Sequence, residues 1–201
     1  MTVQEEITPA QPLPVAAGTM VVVVGPSGAG KDSVMSYAAR YFADEPRLGF
    51  VRRVITRPFD SGGEAHEAID ATGFEARAAA GDFAVSWDAH GLSYGIPRDT
   101  FDRLADGMTL VANGSRSALP AFVGAYGRLK IVLVTARADI LAERLAARGR
   151  ENAEAIARRL DRAVPEIVVA ADTVVIDNSG ALEAAGDRLV RLLASSLARN
   201  E

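Results

Sequence analysis

Apolar and polar positions alternate along the chain in a way that separates strands from helices. Met20-Val21-Val22-Val23-Val24 is an unbroken apolar run between Gly18 and Gly25. It is too short for a helix, and no polar residue interrupts it. Such a run suits a strand covered on both faces, as in a parallel sheet. Lys31 to Phe42 then reads as a helix, with Val34, Ala38 and Tyr41 or Phe42 on one face. Phe50 to Thr56 looks like a second strand, stopped by Pro58. Residues 59–97 break the rhythm. Glycine and polar residues dominate there, with short strands expected near His66–Ile69 and Phe83–Trp87 and a helix over Thr72–Ala80. This segment reads as a small mixed insertion.

The alternation then returns. Helices are expected over Arg98–Ala105 and Ser117–Tyr126, strands over Met108–Ala112 and Leu129–Val134. A long arginine-rich helical region follows from Ala138 to Ala163, then a strand at Thr173–Ile176 and an amphipathic helix over Ala181–Ala198. Strands alternating with helices argue for an α/β fold of three layers, α/β/α, around an open parallel sheet. The first 17 residues, with Pro9, Pro12 and Pro14 and no periodicity, read as a flexible tail, leaving 18–201 as a single domain.

Composition narrows the chemistry. The chain has no cysteine, which excludes disulfides, thiol catalysis and cysteine zinc sites. The two histidines, His66 and His90, are too few for a histidine-rich metal site. Net charge is −4, against the basic surface that nucleic acid or an anionic membrane attracts. No apolar run approaches the roughly 18–20 residues of a membrane span. The lack of a targeting signal points to the cytoplasm. Of 22 basic residues only Lys31 and Lys130 are lysine. A lysine kept against so strong a bias to arginine is one that the protein needs.

Lys31 sits at a telling place. Gly25-Pro26-Ser27-Gly28-Ala29-Gly30-Lys31-Asp32-Ser33 follows the first strand and opens the first helix. The spacing is G-x-x-x-x-G-K, a phosphate loop. Its glycines let successive N–H groups turn inward around a polyphosphate. The helix N-terminus adds positive potential, and Lys31 reaches the β- and γ-phosphates. The residue after the lysine is usually Ser or Thr, whose hydroxyl holds Mg²⁺. Here it is Asp32, which can hold Mg²⁺ directly or through water, or can simply favour the helix N-terminus.

Downstream segments resemble the guanylate kinase family, in order, from about Gly18 to the C-terminus. Thr56-Arg57-Pro58 with Gly63-Glu64 resembles the acceptor-site segment, and Tyr94-Gly95 the pair that closes it. Arg148-Gly149-Arg150-Glu151-Asn152 resembles the arginine-glycine lid, within a lid region over 138–163. The departures fall on the guanine contacts. Asp60 stands near the place of the second acceptor-site arginine, Val85 near that of the guanine-reading glutamate, and Ile96 replaces the hydroxyl after Tyr-Gly. Val111-Ala112-Asn113-Gly114-Ser115-Arg116 replaces an acidic strand end. A site without those groups loses its discrimination for guanine.

Taken together, Gly30–Ser33, Ile55–Arg57, Ser86–Leu92, Tyr94-Gly95, Asn113–Arg116 and Arg148–Asn152 resemble the ribose 1,5-bisphosphate phosphokinases, a branch of the same family that serves phosphonate degradation. The resemblance implies ATP-dependent phosphorylation of ribose 1,5-bisphosphate to 5-phosphoribosyl 1-diphosphate, with Mg²⁺. It implies that Lys31 and the loop amides bind ATP and that Arg57 grips the acceptor phosphate. Arg53 and Arg116 are second choices for that grip. Arg148 and Arg150, with Arg144 four residues earlier, would cover the transferring phosphoryl group.

Several residues keep two readings. Arg53 is a solvated side chain or an acceptor contact, and Arg144 pairs with Asp139 or Glu143 or reaches the phosphates. Trp87 and Tyr94 are pocket walls, and His90 is an ordinary surface residue or a sugar contact. Asn113 and Ser115 end a strand where α/β sheets bind ligands. Asp177 and Asn178 lie beside adenine or cap the last helix. The rival functions are a nucleoside monophosphate kinase and a guanylate-kinase-like binding module without catalysis.

Overall fold

The computed structural model describes residues 17–58, 65–147 and 173–199. Its centre is a five-stranded parallel sheet. In chain order the strands are β1 (Thr19–Val24), β2 (Leu48–Phe50), β7 (Thr109–Asn113), β8 (Leu129–Thr135) and β9 (Thr173–Asp177), and their spatial order is β2-β7-β1-β8-β9. The apolar run in β1 is buried along its whole length, as its lack of polar positions requires.

Successive residues of β1 enter different cores. Val21 and Val23 pack with Val34 and Ala38 of α1 (Lys31–Tyr41), Leu141 of α5 (Ala138–Ala147), and Leu189 and Leu193 of α6 (Leu182–Leu197). Met20, Val22 and Val24 pack with Leu104 of α3 (Thr100–Ala105) and Phe122 of α4 (Leu119–Ala125). This period-two division produces the three layers. Each fully buried Val or Leu contributes about 1.5–3 kcal/mol, so a charge at Val22 or Val23 would break the centre of the fold.

The second core also carries a four-stranded mixed sheet, ordered β4-β3-β6-β5. Its strands are β3 (Val54–Ile55), β4 (Glu67–Ala68), β5 (Phe83–Ala89) and β6 (Leu92–Pro97), with α2 (Ala71–Ala79) between β4 and β5. Asp70 caps α2 by accepting a hydrogen bond from the Gly73 amide at 2.7 Å.

Two expectations change here. Phe50–Thr56 is not one strand. Leu48–Phe50 pairs with β7 in the large sheet, whereas Val54–Ile55 pairs with β4 and β6 in the small one. The reason is Arg52-Arg53, since two adjacent charges cannot lie in a strand covered on both faces. The small sheet therefore recruits residues that precede position 59. The second change is β6, which residue pattern did not reveal. Gly95 and Ser93 dilute its apolar signal, but it is the hairpin partner of β5. The turn is His90-Gly91, with φ of 55° and 74°, the backbone sense that matches strand twist. Among the described residues no helix is long and apolar enough to cross a membrane.

Candidate active site

The phosphate loop leaves β1 at Gly25 and enters α1 through Gly30, which has φ of 81°. A Cβ at Gly25 would overlap the Val134 carbonyl oxygen, and one at Gly30 would overlap Asn178 Nδ2. Glycine is required at both places. Lys31 Nζ donates to the carbonyl oxygens of Gly25 (2.9 Å) and Pro26 (3.2 Å), so the ammonium lies inside the loop's own curve. Asn113, at the end of β7, donates from Nδ2 to Asp32 Oδ1 at 2.8 Å. Asn178, just past β9, donates from Nδ2 to the Ala29 carbonyl at 2.8 Å. Two asparagines from strand ends thus tie the loop to the sheet on either side.

The facing wall belongs to the small sheet. Trp87 and Tyr94 are register partners across β5 and β6, and their rings stack at 5.3 Å with planes 6° apart. The Arg53 guanidinium lies over both, 5.1 Å from the Tyr94 ring and 5.8 Å from Trp87. Stacking of this kind orients an arginine guanidinium. Thr56 N donates to the Ser93 carbonyl at 3.1 Å, and Ser93 N to Thr56 Oγ1 at 2.8 Å, which fastens the end of β3 to β6. Arg57 follows at once. Its Nη2 donates to His66 Nδ1 at 3.2 Å, and its carbonyl accepts from His66 Nε2 at 3.0 Å. Arg57 Nε is buried and has no hydrogen-bond partner among the described residues.

Between the two walls is a cavity of about 200 Å³. Gly25, Ser27, Gly28, Gly30, Lys31 and Asp32 line one side, Arg53, Arg57, Trp87 and Tyr94 the other, and Asn113, Gly114 and Ser115 the floor. Ala89 and His90 close one end, so His90 serves both the hairpin turn and the cavity rim. Lys31, Arg53 and Arg57 against Asp32 leave a formal charge of +2 around this cavity. A confined positive cleft of that kind collects phosphorylated ligands.

Other expected site residues fall elsewhere. Pro26 and the fully buried Ala29 shape the loop without lining this cavity. Ser33 lines a neighbouring cavity of about 290 Å³ with Gly28, Gly30, Arg144 and Asn178. Arg116 is in neither wall. It begins a 3₁₀ turn at Arg116–Ala118, where partial burial lowers its pKa from the usual arginine value. Arg148 and Arg150 lie outside the described residues. Arg144 does not pair with Asp139, which instead binds Arg137 at 3.0 Å. Its Nη1 is buried without a partner among the described residues, close beside Gly30. Asp177 accepts from the Ser179 amide and hydroxyl, which hold its carboxyl below the usual range. Neither Asp177 nor Asn178 caps α6, whose N-cap is Ala181 with no side-chain bond.

No family model matches the chain. The ribose 1,5-bisphosphate phosphokinase of Agrobacterium fabrum is 50% identical over 177 residues, which cover 88% of this chain and 97% of that protein. The enzyme of the same name from Rhizobium etli is 50% identical over 181 residues, 90% of this chain and 92% of its own. The chain belongs to the ribose 1,5-bisphosphate phosphokinase family. It is a kinase. Its fold is that of the guanylate kinases: the crystal structure of the Anaplasma phagocytophilum guanylate kinase superposes with a TM-score of 0.66 over 90% of this chain and 87% of that one, at 17% identity. In this chain the phosphate loop faces a wall of side chains rather than bare solvent.

Proposed function

We propose that the protein transfers the γ-phosphoryl group of ATP to the 1-phosphate of ribose 1,5-bisphosphate, forming 5-phosphoribosyl 1-diphosphate in phosphonate degradation. The observation that carries this reading is the placement of Arg53 and Arg57 across one cavity from Lys31 and the loop amides. A donor polyphosphate fits the loop side and an acceptor phosphate the arginine side.

In this step an oxygen of the acceptor phosphate forms a bond to the γ-phosphorus. The bond from that phosphorus to the β–γ bridging oxygen breaks, and ADP leaves with its electron pair. The acceptor oxygen is already ionised near neutral pH, so no general base is needed. The obstacle is repulsion between two polyanions, which is met by positioning and charge neutralisation. Lys31 would exchange its bonds to Gly25 and Pro26 for phosphate oxygens. Arg57, with a buried Nε–H to satisfy, would take the acceptor phosphate, and Arg53 would assist. Asn113 and Ser115 would meet the sugar, with Tyr94 as the wall behind it. The reading also gives Arg148 and Arg150 to the transferring group, leaves Arg116 outside it, and puts the enzyme in the cytoplasm.

Asp32 suits Mg²⁺. It is a hard oxygen donor in the same cavity as Lys31, and Asn113 engages its Oδ1. Mg²⁺ commonly takes one or two carboxylates together with phosphate oxygens and water. Bound there, the ion would supply charge neutralisation between the β- and γ-phosphates.

Guanine recognition has little support in this site. Val85 and Ile96 are buried in the apolar core beneath the small sheet and offer a base no side-chain hydrogen bond. The deciding assay supplies Mg-ATP with ribose 1,5-bisphosphate, GMP, AMP, UMP or CMP and follows 5-phosphoribosyl 1-diphosphate directly. Product from the sugar bisphosphate alone is expected. Turnover with a nucleotide and none with the sugar would overturn the proposal.

A further inference from the structure

His66 is one of two histidines in the chain. The structure buries it to 1% exposure at the entry to β4, against Arg57, two residues past β3. Both ring nitrogens engage Arg57. Nε2 lies 3.0 Å from the Arg57 carbonyl oxygen, and Nδ1 lies 3.2 Å from Arg57 Nη2. A carbonyl oxygen can only accept, so Nε2 carries the proton. A guanidinium can only donate, so Nδ1 presents its lone pair. The two contacts together fix one neutral tautomer, and they bracket the backbone and the tip of the same arginine.

The histidine is itself held. Arg52 Nη2 donates to the His66 carbonyl at 2.9 Å, and the Glu67 amide donates to the Arg53 carbonyl at 2.8 Å. β3 and β4 pair in parallel immediately beyond. The ring is therefore fixed to a sheet rather than to a free loop, and it transmits that rigidity to Arg57. An arginine side chain has four rotatable bonds, and a loose one must lose that freedom when it binds. One already anchored through Nη2 has less of that freedom left to lose when it meets an anion.

We propose that His66 is a positioning residue for the acceptor phosphate: its neutral ring, accepting at Nδ1 and donating at Nε2, holds Arg57 in the orientation that meets the substrate. The inference rests on the reading of Arg57 as the acceptor-phosphate residue. It adds that the orientation of Arg57, and not merely its charge, is built into the fold.

The two bonds can be separated. An asparagine amide oxygen falls near the place of Nδ1, whereas a glutamine amide nitrogen reaches toward the place of Nε2. His66→Gln should therefore keep the backbone contact and lose the acceptor for Nη2. His66→Asn should keep that acceptor. Steady-state kinetics with Mg-ATP and ribose 1,5-bisphosphate would be measured for both, alongside Arg57→Ala and the Arg57→Ala/His66→Gln pair. His66→Gln is expected to raise the acceptor KM about tenfold, with the ATP KM within twofold of the parent. His66→Asn should recover most of that loss, and His66→Gln should add nothing in the Arg57→Ala background.

An unchanged acceptor KM in His66→Gln, while Arg57→Ala raises it strongly, would overturn the positioning role and leave Arg57 in place. An unchanged acceptor KM in Arg57→Ala would remove the reading of Arg57, and the inference with it. A parallel rise in both KM values, or equal damage from Asn and Gln, would make His66 a structural residue only. Thermal melting of each variant identifies any that fails to fold. Should His66→Gln be one, a folded His66→Asn with parent acceptor KM beside a folded His66→Ala with raised acceptor KM and parent ATP KM supports the role, and any other pattern of that pair overturns it.

Discussion

The two walls of the cavity are made in different ways. The loop wall is mainly backbone: glycines at left-handed angles turn amides inward, and one lysine supplies the charge. It is continuous with the central parallel sheet, and the core behind it is aliphatic, from Val21 and Val23 through Leu189 and Leu193. The opposite wall is almost wholly side chain. Arg53 rests on a Trp87–Tyr94 stack, and Arg57 is bracketed by His66. It stands on strands of two to seven residues, over a core that includes aromatic and polar groups. A backbone site recognises what all nucleoside triphosphates share, their phosphates. A side-chain site can be respecified by a few substitutions, which suits the half that must distinguish one acceptor from another.

Removing Lys31 should break that comparison most sharply. Lys31→Ala deletes the one cation that the loop itself contributes to the cavity among the described residues and leaves the acceptor wall intact. The expected result is a fall in kcat/KM of about 10³-fold, the scale of losing a preorganised charge at the transferring group. Binding of ribose 1,5-bisphosphate by calorimetry should stay within about threefold of the parent. Parent ATP affinity and no turnover in either protein would instead favour a binding module without catalysis.

These two walls were also unequally legible in the sequence. G-x-x-x-x-G-K announces the loop because a backbone site needs glycines at set intervals, and the unbroken run before it announces the strand. The three-layer fold follows from the same alternation. The acceptor wall has no such spacing rule. Arg57 is suggested by resemblance, but its partner His66 lies nine residues on, at the entry to the neighbouring strand, and nothing local in the chain marks that pairing. The Trp87–Tyr94 stack depends on the register of a hairpin whose second strand carries a weak apolar signal. Arg52-Arg53 did carry a usable sign, since adjacent charges in the middle of an apolar run mark the place where the chain leaves one sheet for the other.

The core beneath the acceptor wall offers a second contrast. Tyr126 is buried there, its hydroxyl 2.9 Å from Thr100 Oγ1, and burial pushes its pKa up to about 12. In the unfolded chain a tyrosine titrates near 10. The folded state therefore keeps a proton that the unfolded state gives up. Stability from this group is complete below pH 10 and is lost as pH rises toward 12. At pH 11 the loss is about 1.3 kcal/mol, one unit of differential protonation. Urea midpoints at pH 9 and pH 11 should show this drop in the parent and a smaller one in Tyr126→Phe. The variant should also be about 1 kcal/mol less stable at pH 9, from the hydrogen bond to Thr100. An identical alkaline drop in both proteins would place the sensitive group elsewhere.

The finest distinction concerns how firmly Arg53 is held. Its guanidinium has two ring faces beneath it, and a cation over an aromatic face gains about 0.5–1 kcal/mol at an accessible site. Trp87→Leu removes one face and the stacking partner of Tyr94 while keeping an apolar group beside Phe122. Trp87→Phe restores a smaller ring at the same position. If the wall works by orienting its arginines, Trp87→Leu should raise the acceptor KM about fivefold with the ATP KM unchanged, and Trp87→Phe should fall between it and the parent. A fivefold effect is about 1 kcal/mol, the upper value for one such face. Equal changes in both KM values would mean that the small sheet supports the phosphate loop as well, and the division of labour between the two walls would fail at this residue. A large loss in Trp87→Phe too would point instead to the indole N–H as a direct contact with the sugar, a role that stacking geometry alone does not require.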